Sequence, residues 1–154
     1  MDSFGKLSNF DKDFVKLTSE NLILQDIINL VKDDGAGAIT TFNGTTRNTF
    51  KGKTVIQLEY ESYSPMAEKV LSDLIHEART KWELTKTAIY HRTGIVPVGE
   101  TSVIIAVSSV HRQESLHAVE WLIDQLKEKA PIWKKEVYSD GSVWKENAES
   151  RQKV

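Results

Sequence analysis

A single α+β domain is what the sequence predicts, and three observations carry that prediction. Alternating, strand-like segments are interleaved with segments of helical period along 154 residues, a length that buries one core without metals or disulfides. The run "TSVIIAVSSV" (101–110) is apolar almost throughout, as a central strand covered on both faces requires. Near the C-terminus "WKKEVY" and "SVWKE" flank Asp140-Gly141, which predicts a β-hairpin.

The elements follow in order. Residues 1–12 are polar and predicted to be a flexible N-terminus, with the domain over 13–148 and a short tail over 149–154. A short strand is expected at 13–18. "TSENLILQDIINLVKDDG" reads as a helix, with Thr18 or Ser19 capping its start and Gly35 suited to its end. Its apolar stripe is Leu22, Ile23, Ile27, Leu30 and Val31. "GAGAITTF" (35–42) is a strand that enters the polar loop "NGTTRNTFKGK" (43–53). "TVIQLEYES" (54–62) sets Val55, Gln57 and Glu59 against Ile56, Leu58 and Tyr60, the period of a strand. "SPMAEKVLSDLIHEARTKW" opens with Ser64 as cap and Pro65 in the first turn, and Met66, Val70, Leu71, Leu74, Ile75 and Ala78 form its buried stripe. "KTAIYHRTG" (86–94) is a strand and "IVPVGE" (95–100) a loop. "QESLHAVEWLIDQLKEK" (113–129) is a helix with Leu116, Val119, Ile123 and Leu126 facing inward.

Composition excludes several functions. The net charge of −2 argues against general nucleic-acid binding, which needs a broad basic surface, so any anion site is local. There is no cysteine, hence no disulfide framework, thiolate zinc site, cysteine nucleophile or persulfide carrier. No apolar run approaches the ~20 residues that span a bilayer. The first residues lack a hydrophobic signal core, which makes the cytosol the expected location.

Three stretches can carry chemistry. In "LKEKAPIWKKEVY" (126–138) four lysines crowd around an Ala-Pro-Ile-Trp step. Pro131 pushes Ala130 out of the α region and stops the helix near Lys129. Beyond it, alternation puts Ile132, Lys134, Glu136 and Tyr138 on one face and Trp133, Lys135 and Val137 on the other. The lysines either complement the negative end of the helix dipole in water, or Lys127 and Lys134 converge on a pocket that binds an anion or a carbonyl. "SSVHRQES" (108–115) delivers His111 and Arg112 to a helix N-terminus, where free N–H groups favour an anion; capping alone would look the same. "FNGTTRN" (42–48) offers two threonine hydroxyls and Arg47 in a loop that fits neither a Walker A nor a dinucleotide fingerprint. His76 and His117 lack partners at metal spacing, so no metal site and no resident cofactor are expected. His91 and Arg92 read as strand-end residues. Glu59, Glu61 and Tyr63 line a cleft or simply face water.

Taken in order, "GAGAITTFNGTTRN", "LEYESYSPMAE", "HRTGIVPVGE", "VSSVHRQES" and "LKEKAPIWKKE" resemble the large, catalytic subunit of the molybdopterin synthase family over about residues 35–146. The resemblance implies an α/β-hammerhead type of α+β domain and a sulfurtransferase of molybdenum cofactor biosynthesis. It implies a cyclic pyranopterin monophosphate substrate and a small ubiquitin-like carrier whose C-terminal thiocarboxylate donates the sulfur. A homodimer within a heterotetramer is implied too. By motif, Lys127 and Lys134 are the implied catalytic lysines. Thr45, Thr46, Arg47, His111, Arg112, Lys135 and Glu136 are the implied substrate-binding residues, with His111 and Arg112 supplied across the dimer. A sulfur transferase without a thiol of its own must take sulfur from such a carrier. Two other readings use the same residues: a phosphate- or nucleotide-binding module without catalysis, and a scaffold that docks through the Trp-rich hairpin.

Overall fold

The apolar run at 101–110 becomes the strand on which one layer is built. In the computed structural model, residues 11–147 are described; most of the expected N-terminal segment 1–12 and the tail 149–154 lie outside them. The elements are β1 (Asp13–Thr18), α1 (Leu24–Val31), β2 (Ala38–Thr45), β3 (Thr49–Phe50), β4 (Lys53–Ser62), α2 (Ser64–Lys81), β5 (Lys86–Arg92), β6 (Gly94–Pro97), β7 (Thr101–Ser109), α3 (Arg112–Lys129), β8 (Ile132–Tyr138) and β9 (Val143–Asn147). This is the α+β domain with a C-terminal hairpin that the sequence predicts.

The first sheet has the order β1-β5-β7-β2, parallel between β1 and β5 and antiparallel elsewhere. Successive side chains of a strand point to opposite faces, and both faces of this sheet are covered. Ala88, Ile104 and Ala106 meet Ile27 and Val31 of α1. Ile89, Val103, Ile105 and Val107 meet Leu71 and Ile75 of α2 and Leu122 and Leu126 of α3. Burying such side chains supplies about 1.5–3 kcal/mol each, so this double-sided core is the main source of stability.

The second sheet follows β3-β4-β8-β9, with β6 also pairing β4. Lys51 and Gly52 both take positive φ, 50° and 80°, the conformation of a type I′ turn joining β3 to β4. The β8–β9 turn holds Gly141 at φ 87°, and the Asp140 carboxylate accepts the Ser142 N–H at 2.8 Å.

Several local expectations are corrected. Helix α1 starts at Leu24, capped by Ile23 without a side-chain bond. Thr18 instead ends β1 and accepts the Glu20 N–H. Gly35 lies beyond the α1 C-cap, Lys32, in a turn where its N–H meets Asp33. Ser64 lies inside α2, whose cap is Tyr63, and its hydroxyl bonds to Ser62. Met66 and Leu116 lie on the outward sides of α2 and α3, beside the fully buried Ala67 and Ser115, and are exposed. The expected loop 95–100 contains β6, because Gly94 to Pro97 complete the ladder along β4. In β4 the simple alternation fails: register shifts between Val55 and Gln57, Ile56 is the extra, exposed residue, and Val55 joins Leu58 and Tyr60 on the inner side. A bulge changes which face each side chain takes.

One polar cluster ties β1 to the rest. Asp13 accepts from Arg79 Nη2 at 2.6 Å, Arg79 Nε at 3.1 Å and Thr87 Oγ1 at 2.7 Å, while Arg79 also donates to the carbonyls of Leu84 and Thr85. Removing one member of a largely buried charged pair strands the other. Asp13→Ala is expected to lower unfolding free energy by about 2–3 kcal/mol, read as a lower urea midpoint at unchanged slope.

Candidate active site

The site begins with a chain reversal. Helix α3 ends at Lys129, Ala130 is extended at φ −73°, ψ 133°, and Pro131 leads directly into β8. That strand runs antiparallel to β4, with Tyr60 opposite Lys134, Leu58 opposite Glu136 and Ser62 opposite Ile132. Strand alternation then turns Ile132, Lys134, Glu136 and Tyr138 inward. Lys127, on the last turn of α3, opens onto the same space.

That space is a cavity of about 380 Å³ lined by Thr45, Arg47, Lys127, Lys134 and Glu136 among others. Phe42, Leu58, Val103, Leu126 and Ile132 give it apolar walls, and Tyr60, His91 and Ser102 add neutral polar groups. Its charged lining is three cations and one carboxylate. Lys134 is largely enclosed, with 15 % of its side chain exposed, and lies 3.3 Å from Glu136 Oε2. Glu136 is buried and its Oε1 accepts the Tyr138 hydroxyl at 2.7 Å. With both carboxylate oxygens engaged by the protein, Glu136 holds Lys134 in place. A cationic, partly apolar cavity suits a phosphorylated heterocycle or a chain terminus bearing negative charge, and low dielectric strengthens each charge there.

The other candidates lie elsewhere in this chain. Thr46 is buried, donating its Oγ1 to the Val96 carbonyl at 3.3 Å and its N–H to Glu100; it ties the end of β2 to the β6–β7 turn. Lys135 faces outward, 3.2 Å from Glu59, as alternation predicts. Glu61 meets Lys145 there, and Tyr63 is exposed, so the cleft expected for Glu59, Glu61 and Tyr63 is on the wrong side of β4. His111 caps α3 and Arg112 begins it, both exposed. Fifteen residues of helix separate Arg112 from Lys127, roughly 22 Å at 1.5 Å per residue, so neither can reach this chain's own cavity. Among the described residues, no three His, Asp or Glu side chains gather at metal-ligand spacing, and no helix is long and apolar enough to cross a membrane.

Two cavity residues escaped the sequence reading. Tyr60 shares the inward face with Leu58, as the strand alternation predicts, but nothing in the sequence marks that face as a cavity wall; its hydroxyl donates to Ser102 Oγ at 3.3 Å, which donates to the Gly44 carbonyl. His91 is buried, its ring edge-on to Tyr60 with centroids 4.9 Å apart. Nδ1 lies 2.8 Å from the Arg92 carbonyl; a carbonyl only accepts, so Nδ1 carries the proton. Burial pulls its pKa from 6.5 to about 4, against a small opposing effect of that hydrogen bond.

Comparison with known proteins follows the same lines. The family described as "MoaE protein" matches residues 17–129. A curated molybdopterin synthase catalytic subunit of Arabidopsis thaliana is 57% identical over 126 residues, 82% of this chain and 64% of the relative. The chain thus spans just under two thirds of that relative's length. The Homo sapiens protein of the same description is 51% identical over 138 residues, 90% of this chain and 73% of its own. The crystal structure of molybdopterin synthase from Staphylococcus aureus superposes with a TM-score of 0.81 at 37% identity, covering 85% of this chain and 95% of that one.

Titration of His91 gives a pH test. Because its folded pKa lies below the ordinary 6.5, folding below that pH requires loss of a proton. The stability it allows is complete above about pH 6.5 and falls by up to about 3 kcal/mol as pH drops towards 4. Urea unfolding at successive pH values should show this slope in the wild-type chain and lose it in His91→Gln.

Proposed function

The chain belongs to the MoaE protein family, and from that membership we propose that it is the catalytic subunit of a molybdopterin synthase. It transfers two sulfurs from the C-terminal thiocarboxylate of a small ubiquitin-like carrier to cyclic pyranopterin monophosphate, forming the molybdopterin dithiolene. The observation that supports this most directly is the convergence of Arg47, Lys127 and Lys134, from three separate segments, on one cavity.

Each residue has a role suited to its chemistry. Lys127, at the more open side, meets the carrier's terminus, where its ammonium stabilises the thiocarboxylate. Once the sulfur has bonded to the pterin side chain, it also stabilises the oxyanion formed as water adds to the thioester carbon, which releases the carrier as a carboxylate and leaves the sulfur on the pterin. Lys134, held by Glu136, faces the pterin. The planar fork of Arg47 suits a phosphate, and Thr45 adds a hydroxyl beside it. The absence of cysteine fits a reaction in which all sulfur comes from the carrier. The proposed setting is the cytosol.

His111 and Arg112 complete the site from a second copy of the chain. They lie at the N-terminus of α3, where free backbone N–H groups add to their positive charge, and the proposed homodimer brings them to the partner's cavity. One carrier docks on each protomer, which makes the heterotetramer. Lys135 and Thr46 act indirectly, Lys135 by pairing with Glu59 on the outer face and Thr46 by anchoring the chain between the end of β2 and Arg47.

The test mixes purified chain, thiocarboxylated carrier and cyclic pyranopterin monophosphate and measures dithiolene product. Lys127→Ala is expected to lose turnover by a factor on the order of 10²–10³; full turnover would remove the assignment. Arg112→Ala should be similarly impaired. Refolding the two variants together should recover activity, because hybrid dimers then contain one site with both native groups. Recovery absent from confirmed hybrids would place Arg112 outside the partner's site.

A further inference from the structure

One polar group in the cavity is used by neither the fold nor the proposed chemistry. The His91 ring lines the cavity wall and is 4 % exposed. Its Nδ1–H is committed to the Arg92 carbonyl at 2.8 Å, and Tyr60 packs edge-on at 74° to fix the ring plane. Nε2 therefore carries a lone pair, and no hydrogen bond to it is found among the described residues. The hydroxyls of Thr45, Thr49, Tyr60 and Ser102 can also accept but rotate freely, whereas the His91 ring is held in one plane, and the charged groups of the cavity are poor acceptors. Arg47 and Lys127 only donate, Lys134 only donates, and Glu136 already takes Lys134 and Tyr138.

A pterin is rich in donors: its pyrimidine ring N–H and exocyclic amino group must find acceptors when it leaves water, at a cost if they do not. We propose that His91 is a substrate-binding residue whose Nε2 accepts a hydrogen bond from an N–H of the bound pterin and so orients the ring, while the cations hold the phosphate. The proposal rests on the synthase reading for the identity of the ligand. Specificity follows: a site built around a buried acceptor rejects a phosphorylated ligand that lacks the matching donor. Neutrality of the ring at pH 7, which burial enforces, keeps that acceptor available beside three cations.

Two variants separate this role from packing. His91→Asn offers an amide N–H to Arg92 in place of Nδ1–H but nothing where Nε2 stood. His91→Gln can place its side-chain oxygen near the Nε2 position. Cyclic pyranopterin monophosphate should bind His91→Asn about tenfold more weakly, with KM rising in parallel, and His91→Gln should regain most of the loss. A folded His91→Asn with wild-type affinity would overturn the proposal. Because both variants disturb a buried site, ¹⁵N-histidine NMR of the intact wild-type chain is the deciding measurement. The His91 Nε2 resonance should start as an unprotonated nitrogen and shift when the pterin is added. A resonance that stays put while the pterin binds would also overturn it. Failure of the synthase reading looks different: the wild-type chain would then bind no pterin at all.

Discussion

The site depends on the reversal at Ala130-Pro131, locked by the ladder between β4 and β8. A proline that removes a helical hydrogen bond ends α3, and the next seven residues pair along β4 from Ser62 to Val55. Without that reversal Lys127 would remain a helix-end lysine complementing a dipole, and Lys134 another solvated charge. With it, both line one cavity. The ladder is also what buries Glu136, and a buried carboxylate needs partners; Lys134 and Tyr138 supply them. Strand pairing, burial and charge placement are one construction.

The cavity's composition follows from what surrounds it. Its apolar wall is the edge of the main core, Val103 and Leu126 belonging to the cluster that joins α2 and α3 to the first sheet. Its polar lining comes from β2 and the loop after it, β3, β4, β5, β7, the last turn of α3 and β8. Because core side chains are close-packed and rotamer-locked, Lys127 and Lys134 project from rigid elements, as preorganised electrostatic stabilisation needs. The same enclosure holds His91 neutral. The cavity thus sets three cations apart from a neutral histidine, the pairing that the proposed phosphorylated pterin needs.

Much of this was legible in the residues. The near-continuous apolar run of β7, the stop at Pro131 and the alternation beyond it all act through local backbone chemistry, so the inward face of β8 and the outward turn of Lys135 followed from the sequence. What was not legible depended on distant partners. The bulge at Ile56 is set by register against Val137 and Tyr138, and it hid that Val55, not Ile56, shares the inner side with Leu58 and Tyr60. Strand β6 exists because Gly94 to Pro97 find β4, which no local pattern records. Met66 and Leu116 had helical spacing, yet in each helix the small neighbouring residue, Ala67 or Ser115, takes the buried position. His91 looked like a strand end because nothing nearby in sequence reveals that its ring meets Tyr60.

The central claim is that charges from three segments of this chain enclose one place where a phosphorylated pterin sits. A crystal structure of the chain with cyclic pyranopterin monophosphate tests it most directly. The account predicts pterin density inside the cavity between Lys127 and Lys134, within hydrogen-bond reach of His91 Nε2. Density bound elsewhere on the surface, with that cavity holding only solvent, would contradict it.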